Sequence, residues 1–470
     1  MDNAKELISK KIDELRDRLV EATQEIVRVK SVLGPAEPGK PFGEGPAKAI
    51  ETALKISEEL GFKTKNVDNY VGYAEYGEGK EMVGVLGHLD VVPEGDGWTY
   101  PPYGAEIHDD RIYGRGTIDD KGPTMAALFG LKAIKELGLP ISKRVRILFG
   151  SNEESGSNEI EYYLEHDEAP TIGFTPDANF TVIYAEKGIT LFDVVMRFDK
   201  KPTSGIKIVK ITGGEVKNMV PRLARAVLHV DDESLKKSVI EAVEDYRKEK
   251  NVDLSCEDNG DGLTIVSTGV AAHGATPEQG KNAIMQLFMF LDTLDLGDTD
   301  VKKFIHFFAE NVGMETNGKK FGVYLKDETG ELTFNIGTVS VDENEGRLGL
   351  NIRYPVTYTY DDFIKPFNKK LEGTGIVIEN MVAQNPLYFP KDHPLIQTLS
   401  KVYHEVTGNE PVLLAIGGGT YAKEMKNMVA FGPNFPGQPE LDHQTDEYIA
   451  IDHLVQLAKI YGSAIYELAK

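Results

Sequence analysis

The sequence predicts an α/β domain, a mixed sheet flanked by helices, interrupted by one inserted α+β domain. Three observations predict it. Short apolar runs alternate with helical periodicity in the first part of the chain, the mark of an α/β protein. After Lys187 the pattern changes to runs of strands beside helices, which suits α+β packing. After Gln384 the alternation returns. The expected limits are 1–186 for the first part of the α/β domain, 187–383 for the insertion and 384–470 for the second part.

Each element follows from its local pattern. Residues 5–30 place apolar side chains at Leu7, Ile8, Ile12, Leu15, Leu19 and Val20, a helical period. A second helix, 47–60, stops at Gly61. The run MVGVL (82–86) is continuously apolar, as in a strand covered on both faces. Helix 124–137 ends at Gly138-Leu139-Pro140, strand 145–149 follows, then helix 157–166 and a short strand 171–174. In the insertion, strands are expected at 191–198, 206–211, 263–266, 332–339 and 348–354, with helices at 232–248, 283–294 and 361–371. The last part reads as helix 395–406, strand 412–414, helix 420–426, strand 429–431 and a final helix from Asp452.

Composition narrows the function. The chain has 470 residues, with 52 Lys and Arg against 75 Asp and Glu, a formal charge of −23. Such an acidic chain is a poor match for nucleic-acid phosphates or anionic lipid. Cys256 is the single cysteine, so disulfide frameworks and cysteine zinc modules are excluded within the chain. Residues 1–20 form a charged amphipathic pattern rather than a signal peptide, and no stretch approaches the roughly 20 apolar residues of a membrane span. A cytoplasmic protein is expected.

The chemistry-bearing residues fall in loops at strand ends, where α/β sheets build their sites. His88 and Asp90 follow the apolar run 82–86, and a period of two puts both on one face. Asp119 lies in the segment Asp119-Asp120-Lys121-Gly122. Glu153 and Glu154 follow the strand 145–149, Asp177 follows the strand 171–174, and His443 precedes the final helix. Taken singly, each is compatible with a polar turn. Together, converging carboxylates demand positive charge. Three ligand carboxylates (Asp119, Glu154, Asp177) with one hydroxide match the charge of two Zn²⁺ ions. His88 and His443 add nitrogen donors, a mixed set that suits Zn²⁺, with Mn²⁺ or Co²⁺ as substitutes. No basic phosphate clamp accompanies them, which disfavours a dinuclear phosphoesterase.

The segments GHLDVVP (87–93), YGRGTIDDKGP (113–123), EESGS (153–157) and LDHQTDE (441–447) resemble the co-catalytic zinc peptidases of the aminoacylase and carboxypeptidase-G type. GGEVKNMVP (213–221) and AAHGATPEQGKNA (271–283) further resemble the PepV-type bacterial dipeptidases, with carnosine dipeptidases as more distant relatives. The resemblance implies that the α/β part is catalytic and that the insertion is a lid, long enough for two pseudo-repeated halves. It implies His88 and Asp177 on one metal, Glu154 and His443 on the other, and Asp119 bridging them, with a cis peptide after Asp119. It makes Asp90 the residue that orients His88, and Glu153 the general base.

The implied activity is hydrolysis of the peptide bond of unblocked dipeptides by a metal-activated water, Glu153 taking its proton. His273 is the implied oxyanion donor and Asn218 a substrate-binding residue of the lid. Arg353 can grip a carboxylate through its fork. Gly417-Gly418-Gly419-Thr420 is expected to open a helix and offer N–H groups and a hydroxyl to an anion. The resemblance implies that Arg353 and Thr420 hold the substrate's terminal carboxylate, confining cleavage to short peptides. The alternative is a related amidohydrolase acting on N-acyl amino acids or carnosine-like β-alanyl dipeptides. A lid of this length supplies His273 within one chain, so a monomer is expected.

Overall fold

The computed structural model describes residues 3–260 and 262–470; residues 1–2 of the expected first segment and residue 261 of the insertion lie outside the described part. The chain divides into two compact units. The first holds the chain up to Tyr184, with Phe389–Ala415 and Gly419–Lys470; the second holds Ala185–Tyr388 and Ile416–Gly418. The unit boundaries thus fall after 184 and 388, against the expected 186 and 383, and the tripeptide 416–418 belongs to the second unit.

The first unit is built on a mixed sheet. Its strands run in the order Lys63–Val67, Val71–Tyr76, Arg144–Gly150, Met82–His88, Ile172–Thr175, Met428–Ala430 and Val182–Glu186, the last leaving the unit at its end. Met82–His88 pairs in parallel with both Arg144–Gly150 and Ile172–Thr175, which in turn pairs in parallel with Met428–Ala430. All seven residues of Met82–His88 are buried, as its unbroken apolar run requires of a strand covered on both faces. Parallel strands end on the same side. The loops after His88, Gly150 and Thr175 therefore gather at one edge of the sheet.

Helices Lys121–Leu137 and Ile451–Ala469 pack backbone to backbone. A Cβ on Gly130 would lie 2.6 Å from the Gly462 nitrogen and 2.7 Å from its Cα, so neither helix can carry a side chain there without parting. The first of these helices follows Asp119-Asp120 and the second follows the loop of His443. Their contact therefore sets the distance between two loops that carry candidate ligands.

Two expectations in this unit are corrected. The predicted helix 5–30 is two helices, Asn3–Glu14 and Arg16–Val27, separated at Leu15. Leu15 keeps a nearly helical turn (φ −90°, ψ 0°), so the apolar period runs through the break undisturbed. The predicted helix 420–426 is a short 3₁₀ turn, Tyr421–Glu424. The glycines before it therefore present no α-helix N-terminus to an anion.

The second unit is an antiparallel eight-stranded sheet in the order Asp253–Asp258, Leu263–Thr268, Leu223–Val230, Ile206–Gly213, Thr333–Val341, Glu345–Tyr354, Gly188–Arg197, Ile376–Gln384. Its halves mirror each other across the pairing of Ile206–Gly213 with Thr333–Val341. In each, two successive strands lead into a helix and a further strand, Glu233–Lys250 then Asp253–Asp258 in one half, Tyr360–Leu371 then Ile376–Gln384 in the other. The helices cover one face, where Phe192, Phe288, Phe304, Phe308 and Phe367 are buried in a single core. Helix Asp300–Asn311 is absent from the sequence expectation, although its buried Val301, Phe304, Ile305, Phe308 and Ala309 keep a helical period. No helix among the described residues is long and apolar enough to cross a membrane.

Gly130→Leu is expected to lower stability by about 1–3 kcal/mol, because the added side chain meets backbone rather than a flexible neighbour. Thermal unfolding reads this as a lower Tm; an unchanged Tm would show that the two helices are not in this contact.

Candidate metal centre

Six of the sequence-predicted residues of the first unit, His88, Asp119, Glu153, Glu154, Asp177 and His443, gather in one cluster, with Asp90 directly beneath it. His88 is the last residue of its strand. Its Nδ1 lies 3.0 Å from the Asp90 carbonyl oxygen, which directs Nε2 outward to Asp119 Oδ1 at 2.9 Å and Asp177 Oδ2 at 3.8 Å. The other Asp119 oxygen lies 3.1 Å from His443 Nε2, which is also 3.1 Å from Glu154 Oε2. Asp119 thus faces one imidazole with each oxygen. The peptide Asp119–Asp120 is cis. His443 takes a left-handed backbone (φ 62°) that turns its ring inward from an exposed loop.

Asp90 does more than the sequence suggests. Its carbonyl, rather than its carboxylate, is the closer partner of His88; the carboxylate Oδ1 stands 3.5 Å from Nδ1. The carboxylate oxygens instead accept the amides of Glu153 and Glu154, each at 3.1 Å. One buried side chain therefore fixes the turn that carries both glutamates. The strand ends at His88, so the expected two-residue strand period does not extend to Asp90.

The electrostatics show what the cluster needs. Burial pushes the Asp177 carboxyl up to about 7, with Asp119 and Glu154 adding to the shift. Burial and Asp177 hold Glu153 well above its ordinary range, and burial and Asp119 raise Glu154. For Asp119, burial is outweighed by hydrogen bonds from His443 and His88, which hold it below the usual carboxylate range. Hydrogen bonds to Asp119 and Glu154 raise His443 to about 10. Burial opposes charge on His88, yet its bonds to Asp119 and Asp90 keep it well above 6.5. Left to themselves, the carboxylates recruit protons onto both imidazoles as counter-charges.

Divalent cations would supply that charge, and the donor set fits them. Ligand atoms of His88, Glu153 and Asp177, and of His88, Asp119 and Glu154, lie within 4.8 Å of one another in each group. Imidazole nitrogens with carboxylate oxygens are the donors of Zn²⁺ sites.

The second unit brings together a different set. The Asn218 carbonyl accepts the Gly274 amide at 2.7 Å, and Met219 pairs with His273 across a β-bridge. Asn335 donates to the carbonyls of Lys217 and Met219, both at 2.9 Å, and so holds Asn218 between them. Burial, then Arg353, lowers the pKa of His273, which favours its neutral form. Arg353 is 4% exposed and donates to Asn351 Oδ1 at 3.0 Å and to the Gly417 carbonyl at 2.7 Å. No carboxylate pairs with it among the described residues, and burial alone brings it down to about 10. Thr420, in the first unit, accepts the Ala422 amide at 3.2 Å in its 3₁₀ turn.

Sequence reasoning misses Asn351 and Asn335. Asn351-Ile352-Arg353 carried a usable signal, because a period of two sets Asn351 beside Arg353 on one face. Asn335 carried none, since its role depends on a loop more than a hundred residues away.

The sequence model described as Peptidase family M20/M25/M40 matches residues 84–467. The chain is 42% identical over 99% of both chains to the protein named "Putative dipeptidase YtjP" of Bacillus subtilis (strain 168). It is 36% identical to the Beta-Ala-Xaa dipeptidase of Lactobacillus delbrueckii subsp. lactis, over 100% of this chain and 98% of that one. Among solved structures, aminopeptidase PepT from Bacillus cereus ATCC 10987 aligns with a TM-score of 0.58 at 16% identity, covering 97% of this chain and 99% of that chain. Human carnosine dipeptidase 1 aligns with a TM-score of 0.56 at 16% identity, covering 99% of each. At these identities the two structures show a shared fold.

Zn²⁺ added to chelator-stripped protein is expected to raise Tm, since an ion at 100 times its Kd stabilises the folded state by about 2.7 kcal/mol per site. An unmoved melting curve would mean that the carboxylate cluster takes no cation.

Proposed function

Because this chain belongs to peptidase family M20/M25/M40, we propose that it is a dinuclear zinc dipeptidase acting on short peptides with an unblocked amino terminus. The single observation that carries the reading is Asp119, whose two oxygens face His88 and His443 separately. That arrangement supports His88 and Asp177 on one ion, Glu154 and His443 on the other, and Asp119 between them. When bound, the ions supply Lewis acidity toward the peptide carbonyl and toward water.

The chain's own residues do the rest. Glu153 accepts a proton from the attacking water and returns it to the leaving amine. Glu153 stands beside His88 and Asp177, within reach of a water held at that part of the cluster. Asp90 keeps the Glu153 and Glu154 amides in place. The neutral ring of His273 accepts the Ala275 amide at Nδ1 (3.4 Å), which leaves the proton on Nε2 for a developing oxyanion. Arg353, a buried cation without a carboxylate partner among the described residues, binds the terminal carboxylate, with the Thr420 hydroxyl as a second donor. Asn218, whose carbonyl accepts the Gly274 amide next to His273, is a substrate-binding residue of the lid. The length of the insertion lets His273 serve within its own chain, which favours a monomer.

A second reading, preference for β-alanyl dipeptides, is favoured by the relative named for that substrate. Comparing Ala-His with β-Ala-His separates the two. For the leading reading, Glu153→Gln is expected to lower kcat by roughly 10²–10⁴-fold while metal content stays unchanged. Arg353→Met is expected to raise KM for dipeptides and to abolish discrimination against dipeptide amides. Equal kcat in Glu153→Gln and unmodified enzyme would remove the base.

A further inference from the structure

Two motif residues have no part in the proposed chemistry: Arg115 of the YGRGTIDDKGP segment and Glu447 of the LDHQTDE segment. Both are buried, at 2% and 0% exposure, and they pair with each other at 2.7 Å. Each grips the loop that carries the other. The Glu447 carboxylate accepts the amides of Gly116 at 3.0 Å and Ile118 at 2.9 Å, with longer contacts to the Asp119 amide and the Thr117 hydroxyl, both 3.4 Å. It therefore gathers the backbone leading into Asp119. Arg115, from that same loop, donates to the carbonyls of Gln444 at 3.1 Å and His443 at 3.3 Å. The Gly114 amide closes the clasp on the Glu447 carbonyl at 2.9 Å.

The ligands differ in how much they depend on such a clasp. His88 ends a central strand, and Asp177 follows the neighbouring parallel strand Ile172–Thr175. Hydrogen-bonded sheet fixes both. His443 sits on an irregular loop, with a left-handed backbone and a side chain 52% exposed. Its position relative to Asp119 is held by the Arg115–Glu447 pair.

We infer that Arg115 and Glu447 are positioning residues that set the spacing of Asp119 and His443, and through it the affinity of the Asp119–Glu154–His443 half of the centre for its ion. The inference rests on the dinuclear reading. It predicts an asymmetric defect: both ions share Asp119, but only one depends on His443, so losing the clasp weakens that ion far more than the other.

The test is a Zn²⁺ titration of chelator-stripped protein against a competing chelator, followed by elemental analysis after dialysis. Two variants are compared with the unmodified chain. Glu447→Gln keeps the shape and removes the charge. The double variant Arg115→Met with Glu447→Leu removes both charges at similar volume, which avoids stranding one charge in the interior. Unmodified protein is expected to bind two ions per chain. Both variants are expected to bind the first within about threefold of normal and the second roughly 10–100-fold more weakly, the usual effect of losing a group that orients a ligand. They should therefore retain close to one ion after dialysis. Equal weakening of both ions, or normal retention of both, in variants with native circular dichroism overturns the clasp and leaves the dinuclear reading standing. Loss of the native spectrum in both variants also overturns it, because the pair would then serve folding alone. Fewer than two ions on the unmodified protein ends the dinuclear reading and this inference with it.

Discussion

Four carboxylates, those of Asp119, Glu153, Glu154 and Asp177, share one buried region of the first unit, and their mutual repulsion is the constraint the surrounding structure must meet. Unit charges about 4 Å apart near a protein surface repel by roughly 4 kcal/mol. Several such pairs rival the whole stability of a domain, about 5–15 kcal/mol. The cluster can persist only if positive charge enters it. The carboxylates draw such charge toward His88 and His443, raising the pKa of both imidazoles. Divalent cations would provide more, through the imidazole and carboxylate donors gathered there.

The fold holds the cluster against this repulsion. Parallel strands deliver His88, the Glu153–Glu154 turn and Asp177 to one edge. The backbone contact of Gly130 with Gly462 ties together the helices that follow Asp119 and His443. Asp90 supplies both a carbonyl for His88 and a carboxylate for the glutamate turn. The second unit works in the opposite electrostatic sense. It buries Arg353 with no carboxylate paired to it among the described residues, and burial with Arg353 lowers the His273 pKa.

Much of the first unit's site was legible because its ligands sit directly after apolar strands, and apolar strands are the strongest pattern in the sequence. His88, Glu153, Glu154 and Asp177 all follow that rule. What the sequence did not reveal depends on distant partners. The choice of the Asp90 carbonyl over its carboxylate, the grip of Glu447 on residues 114–119 and the hold of Asn335 on residues 217–219 are all decided by tertiary approach. Short polar strands such as Lys63–Val67 lack an apolar signature, since only Val67 is buried. The glycines before Thr420 misled for a related reason: a helix start and a 3₁₀ turn share the same local chemistry, and only the packing of the residues after Thr420 separates them.

In the proposed centre two cations flank one carboxylate, that of Asp119. Anomalous diffraction at the zinc edge, from crystals of the zinc-loaded protein, tests it most directly. Two peaks are expected, one between Asp119 and His88 and one between Asp119 and His443. A single peak, or density away from Asp119, would contradict it.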